Sequence, residues 1–385
     1  MLRRVPLLFL LLAIACGDDD GPTPMDGGTT DAGGDDAAMV DDAGGDDAGS
    51  DGSMAACMPR DPSTVPDPGE CTPATDDFVV CSDSDGWDAC VSDSGNYVRI
   101  QDSISTIARV LAFDGIAELL FDPTSDPSME DFLTARGLYQ EDEGLDSRVA
   151  RRYDPDAEAP EGTDCTLDGV PAMYPEYCVG PAILQPQILG AFMAGATGTE
   201  GPSRLEAARI EGALLRFLAV STIKESLSCT TAAKDCDSSY AYYTGGAEPR
   251  GGTGLAGYVA AADPYAHDRV WDGILAVRCW RDLDSAETAT DVTLRERARG
   301  QLRTALVDGV AAVVSTRLRT MAAASGDEQL YHWAFVQTLA PFVLPYYADL
   351  DMGSANMLEA ALESATPAAN ATVLADAIDA AFDCP

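Results

Sequence analysis

Between residues 97 and 382 the apolar side chains recur every three or four positions, and no stretch alternates convincingly at period two. A spacing of 3.6 stacks apolar groups on one face of a helix, whereas a half-buried strand needs alternation. The chain is therefore expected to be all-α. Ile100, Ile104, Ile107, Leu111 and Leu119 predict one long helix to about Phe121. Asp122-Pro123 stops it, because proline disfavours a helical residue before it. Ser128 is placed to cap a shorter helix through Phe132 and Leu138. Residues 205–227 carry Leu205, Ile210, Leu214, Phe217 and Ser221 near one stripe and predict the strongest amphipathic helix. Asp263-Pro264 reads as an N-cap with proline at the first helical position. Asp284 with Glu287 resembles a capping box for a helix running to Met321. Asp327 caps a further helix, and Ser354 caps another to about Ala365. The expected architecture is one disulfide-pinned domain of about eight to ten helices over residues 97–385. Two helical repeats, the first ending near residue 200, are a variant of it.

The N-terminus has a different character. Arg3 and Arg4 precede an apolar run, Leu7 to Ile14, and then Ala13-Ile14-Ala15-Cys16. This resembles a bacterial lipoprotein signal, in which Cys16 is lipidated and becomes the mature N-terminus. Ala13 stands where leucine is preferred, and an ordinary secretory signal cut near Ala15 is the other reading. The run is too short to span a bilayer comfortably. Both readings export the chain, and the first anchors it to a membrane in the cell envelope, facing the periplasm or the exterior.

Residues 17–54 hold twelve Asp and no Lys or Arg among Gly, Ala, Ser and Thr. Such a segment cannot bury a core and repels itself, so a disordered tether is expected. Residues 55–96 are rich in Cys, Pro, Asp and Ser and read as a cysteine-rich cap. The formal charge is −40, and with the tether and the two signal arginines set aside the remainder still carries −30. Nucleic acid is excluded as a partner on this balance, since phosphate binding needs a basic surface. Cations and basic proteins stay open, including another protein of the envelope.

With Cys16 assigned to lipid, ten cysteines remain, an even number in an exported chain, which predicts disulfides. Proximity suggests Cys57–Cys71, Cys81–Cys90, Cys165–Cys178 and Cys229–Cys236, leaving Cys279 and Cys384 to each other. No CxxC pair is present to suggest zinc.

Residues 204–283 concentrate the chemistry-bearing side chains. The chain's two histidines exclude a three-histidine zinc site and the HExxH motif. His267 lies near Asp263, Asp268 and Asp272, and His332 follows Glu328 by four residues, one helical turn. Histidine with carboxylates suits iron, manganese or zinc. Asp235, Asp237 and Tyr240 offer hard oxygen ligands suited to Fe³⁺ or Ca²⁺. The structural alternative is tyrosines buried beside a disulfide. Arg148, Arg151 and Arg152 form either carboxylate pairs or an anion site. Ser221-Thr222-Ile223-Lys224 matches the S-x-x-K pattern of penicillin-recognising enzymes, in which the lysine helps activate the serine. The companion Lys-Thr-Gly and Ser-Asp-Asn elements are missing.

Tyr240-Ala241-Tyr242-Tyr243-Thr244-Gly245, with Trp333-Ala334-Phe335 running on to Leu344-Pro345, resembles the secreted algal family of low-iron-inducible periplasmic proteins. The resemblance spans about 160 residues. It implies an all-helical exported protein linked to iron uptake or storage at the cell surface, and it supplies no catalytic residue. The Gly-x-His-x-x-Glu motif of the imelysin-like family is absent, Val270 standing three residues after His267.

The function expected is that of an envelope-anchored, non-enzymatic lipoprotein that binds a ligand, with iron or another divalent or trivalent cation first in line. A structural or protein-docking lipoprotein, and a serine hydrolase using Ser221 and Lys224, are the alternatives.

Overall fold

A computed structural model describes residues 74–382, except 83, 103, 142–143, 199–201, 248–249 and 285–286. The expected signal with Cys16, the expected tether, Cys57, Cys71 and Cys384 lie outside the described residues. The chain is all-α: among the described residues there are thirteen α-helices, one π-helical turn and one 3₁₀ turn, and no strand. The helices are α1 (Ser105–Leu120), α2 (Met129–Gln140), α3 (Asp146–Val149), α4 (Val170–Met173), α5 (Gln185–Thr197), α6 (Ser203–Ser228) and α7 (Lys234–Thr244). Then follow α8 (Leu255–Ala262), α9 (Pro264–Leu283), α10 (Val292–Ala323), α11 (Asp327–Leu339), α12 (Leu344–Leu362) and α13 (Ala371–Ala381). The excess over eight to ten comes partly from the single turns α3 and α4, too short to show periodicity.

Two helices form the centre. Every residue from 265 to 281 in α9 is buried, as is every residue from 210 to 223 in α6. The amphipathic stripe expected for α6 is therefore corrected: α5, α7, α10 and α11 surround it. A helix enclosed on all sides can keep charged residues only if they find partners inside. Glu211 and Glu225 do so. α9 lies along α10, and α6 along α11. Glycines set both contacts. A Cβ on Gly273 would come within 2.5 Å of the Leu302 Cα, and one on Gly212 within 2.8 Å of the Phe335 carbonyl oxygen. Larger side chains at either position would push the helices apart.

Local signals start several helices. Ser128 and Asp131 exchange hydrogen bonds in a capping box, and Asp263 accepts from the Tyr265 and Ala266 amides ahead of Pro264. Elsewhere the caps differ from expectation. Asp291, not Asp284, caps α10, while Asp284 accepts from the Asp291 amide at 2.8 Å. Gly326 precedes α11, so Asp327 is its first residue. Ser354 sits inside α12, which bends at Asp351, and the Asp351 carboxylate accepts from the amides of Gly353 and Ser354. α1 begins at Ser105, not near residue 97.

The stretch before α1 is held by the helices. Asp237 accepts from the Tyr97 hydroxyl at 2.9 Å and from the Ile100 and Gln101 amides, and the Tyr97 ring stacks on Tyr240. Gln301 of α10 bonds both the amide and the carbonyl of Phe78. This arrangement overturns part of the cysteine expectation. Cys165–Cys178 and Cys229–Cys236 are bonded as predicted, but Cys90 pairs with Cys279 across 189 residues. Cys81–Cys90 and Cys279–Cys384 are thereby excluded. Proximity in sequence favours short loops, yet Val91 docks against Asp282 at the end of α9, which brings Cys90 to Cys279.

Candidate ligand cleft

The side chains predicted to hold a cation are placed one by one in the framework. His267 is buried between two partners. Its Nδ1 lies 2.9 Å from the Tyr243 hydroxyl and its Nε2 3.0 Å from the Arg250 carbonyl oxygen. A carbonyl can only accept, so Nε2 carries the proton and Nδ1 accepts from the phenol. Neither nitrogen has a lone pair left for a metal. Burial also pulls the imidazole pKa down, so the ring is neutral. Asp268 and Asp272 grip the Arg250 guanidinium, and Asp263 is spent on its helix cap.

Asp237 accepts from Tyr97, Ile100 and Gln101, and the Tyr240 hydroxyl donates to the Ala247 carbonyl. Asp235 is exposed enough to reach solvent, and it neighbours Ser228, Glu225 and Lys224. Burial pushes its carboxyl up. On α11, His332 Nδ1 faces Arg317 at 3.3 Å, and its Nε2 stands 3.9 Å from Glu328, beyond hydrogen-bond reach. Burial and the Arg317 charge push the His332 pKa down to about 4. Among the described residues, one group of three metal-ligating side chains comes within mutual reach, Cys90, Asp93 and Cys279, and its two cysteines are joined to each other. The predicted cation ligands are thus dispersed: His267, Asp263 and Asp237 are engaged, His332 Nε2 is buried without a hydrogen-bond partner, and among the described residues no three of them come within mutual reach.

The serine hydrolase reading fails on geometry. Ser221 is fully buried, and its hydroxyl donates to the Phe217 carbonyl at 2.6 Å. Lys224 turns to Glu225 at 3.3 Å. The arginine group resolves as a carboxylate pair: Arg152 reaches Glu225 at 2.7 Å, lies against the Phe217 and Tyr242 rings, and with Lys224 offsets the burial of Glu225.

What the helices do build is a cleft between α1, α8 and α10, of about 430 Å³, within the usual range for small-molecule sites. Its walls are mostly apolar, from Phe113, Ala117, Ala261 and Val313. Gly257 lies in the wall contributed by α8, where an added Cβ would meet nothing nearer than the Gly252 carbonyl oxygen at 3.7 Å.

Five residues with polar side chains line the cleft, Asp114, Thr253, Tyr258, Thr316 and Arg317, and three of them bear on its charge: Asp114, Tyr258 and Arg317. Behind them sits Glu211 of α6, fully buried. It accepts from the Tyr258 hydroxyl at 2.7 Å, from the Tyr331 hydroxyl, and from Arg317. Burial, then Glu211, raises both phenol pKa values, so both hydroxyls stay protonated and donate. The Arg317 guanidinium lies 4.1 Å from the Phe335 ring centre, which holds its plane in place. Asp114, half-buried on the opposite wall, accepts from the Gly254 amide at 3.2 Å.

No family model, curated protein or solved structure matches this chain. The site therefore rests on its own geometry. Sequence reasoning missed Asp114, Glu211, Tyr258 and Arg317. A signal existed in two of them: Asp114 and Glu211 are acids with apolar or small neighbours on both sides in helical segments, positions that require internal partners once the helix is enclosed. No helix of the described residues is long and apolar enough to cross a membrane.

Proposed function

We propose that this chain is an exported, lipid-anchored, non-enzymatic binding protein that holds a small molecule with an apolar body in the cleft between α1, α8 and α10. The observation that carries this reading is the cleft itself, an apolar hollow backed by a polar network in which Glu211 accepts from Tyr258, Tyr331 and Arg317. A preformed apolar hollow with a few oriented polar groups is the usual form of such a site. Export and anchoring come from the signal ending at Cys16, and the acidic tether would hold the helical body away from the membrane.

Native mass spectrometry of the protein purified from its own envelope tests the reading. The expected result is a bound organic adduct that Gly257→Phe loses while keeping the wild-type Tm. Identical spectra for the two proteins would remove the cleft from consideration. Elemental analysis of the same sample separates this reading from the iron one, since stoichiometric iron would restore the cation. Replacing Cys16 with Ser is expected to abolish labelling by radioactive fatty acid and to release the protein from membranes.

A further inference from the structure

We infer that the cleft selects an organic cation, an ammonium group carried on an apolar or aromatic body, with Asp114 as the residue that reads its charge. The inference rests on the ligand-cleft reading above and adds the class of ligand.

The charges facing the cleft decide its sign. Arg317 is present but neutralised: Glu211 takes one side of its guanidinium, His332 another, and the Phe335 ring covers its face. His332 is neutral, and Tyr258 is a neutral donor already committed to Glu211. Asp114 is different. Among the described residues no arginine, lysine or histidine pairs with it, and the charge that acts on it is Glu118, one turn further along α1 and of the same sign. Burial raises the Asp114 carboxyl and its Thr253 and Gly254 contacts act against that, so the charge this carboxylate offers the cleft meets no opposite charge on the wall.

Asp114 also has capacity to spare. A carboxylate offers roughly four acceptor positions. Asp114 uses them on the Gly254 amide and the Thr253 side chain, both in the strap that leads into α8. These contacts fix its orientation and leave acceptor positions for a donor in the cleft. Phe113 and Tyr258 meet edge to face, with ring centres 6.2 Å apart, beside the same space. Aromatic faces attract a cation and accommodate an apolar body. A carboxylate flanked by aromatic rings and small residues suits an amine and repels a carboxylate or phosphate.

Calorimetry on the full chain with three probes of similar body tests this: 2-phenylethylammonium, 2-phenylethanol and 3-phenylpropanoate. The cation is expected to bind about ten- to a hundredfold more tightly than the alcohol, the range of a charge-assisted contact, and the carboxylate not at all. Asp114→Asn can still accept from the Gly254 amide, so it is expected to fold and to bring the cation down to the affinity of the alcohol. Gly257→Phe is expected to abolish binding of both. If the alcohol binds as tightly as the cation in wild type, or Asp114→Asn leaves the difference intact, the charge inference is overturned and the cleft reading stands. If no probe binds, both fall.

Discussion

The Tyr243 hydroxyl lies 2.9 Å from Nδ1 of His267, inside the helical body, and the other ring nitrogen of His267 faces the Arg250 carbonyl oxygen. This pairing turns the most metal-like residue of the sequence into a strut joining α7, α9 and the strap before α8. Tyr243→Phe leaves a buried imidazole acceptor without a donor. It is expected to lower stability by about 1–3 kcal/mol, read by denaturant melts, with no change in metal content. A loss of bound metal in this variant would contradict the assignment.

His332 titrates in the opposite sense to an ion-paired histidine. Burial and Arg317 hold its folded pKa at about 4, below the unfolded value. The unfolded chain therefore takes up the proton first on acidification. The contribution is present above about pH 6.5 and is lost as pH falls towards 4, about 2 kcal/mol of it between pH 7 and 5. His332→Gln is expected to remove that slope from a stability profile against pH.

Asp308 contributes a slope of the other sign. Burial raises its carboxyl to about 7, with Arg269 and Asp263 acting against each other. The folded state keeps the proton after the unfolded state has released it. Stability is then full near pH 4 and declines as pH rises to 7, by on the order of 3–4 kcal/mol. Asp308→Asn is expected to stabilise the protein at pH 8 and to matter little at pH 4. It should also expose the acid loss due to His332, because the two slopes offset each other between pH 4 and 6.5.

Glu211 is the common acceptor of Tyr258, Tyr331 and Arg317. Glu211→Ala leaves a largely buried guanidinium unpaired and is expected to cost about 3–5 kcal/mol. Glu211→Gln keeps an acceptor for the phenols and should cost less. Equal melting curves for the two variants would show that the acceptor offered to the Tyr258 and Tyr331 hydroxyls contributes nothing beyond the Glu211 charge, and a wild-type curve for Glu211→Gln would show that the Arg317 charge is not compensated by Glu211.

The Cys90–Cys279 bond closes a loop of 189 residues. The chain-entropy account gives about 5 kcal/mol for a loop of that size. Cys279→Ser is expected to lower stability on that scale and to free the segment before α1 for proteolysis. Peptide mapping without reduction should recover Cys90 linked to Cys279. Recovery of Cys81 linked to Cys90 would contradict the topology.

Much of the fold was legible because its signals are local. Ser128 with Asp131, and Asp263 with Pro264, announce helix starts through contacts within a few residues, and the structure keeps both. Cys165–Cys178 and Cys229–Cys236 close short loops that any compact arrangement would bring together. Ser354 and Asp284 were misread as caps because the side chains that act, Asp351 and Asp291, lie a few residues away, and only the backbone path selects between neighbouring oxygens. The candidate site was illegible for a stronger reason. Asp114, Glu211, Tyr258 and Arg317 come from four helices spread over about 200 residues, and no spacing in the chain connects them.

Sequence alone determined that the chain is helical and that its body is strongly acidic, since periodicity, composition and charge are sums over neighbours. Tertiary structure decided which polar residues are free to act. His267, Asp237 and Asp263 look available on paper and are engaged inside. Asp114 looks ordinary and is left facing a cleft with its charge uncompensated. Burial makes the difference: a polar group withdrawn from water must find a partner, and packing alone determines which groups are withdrawn and which partners they meet.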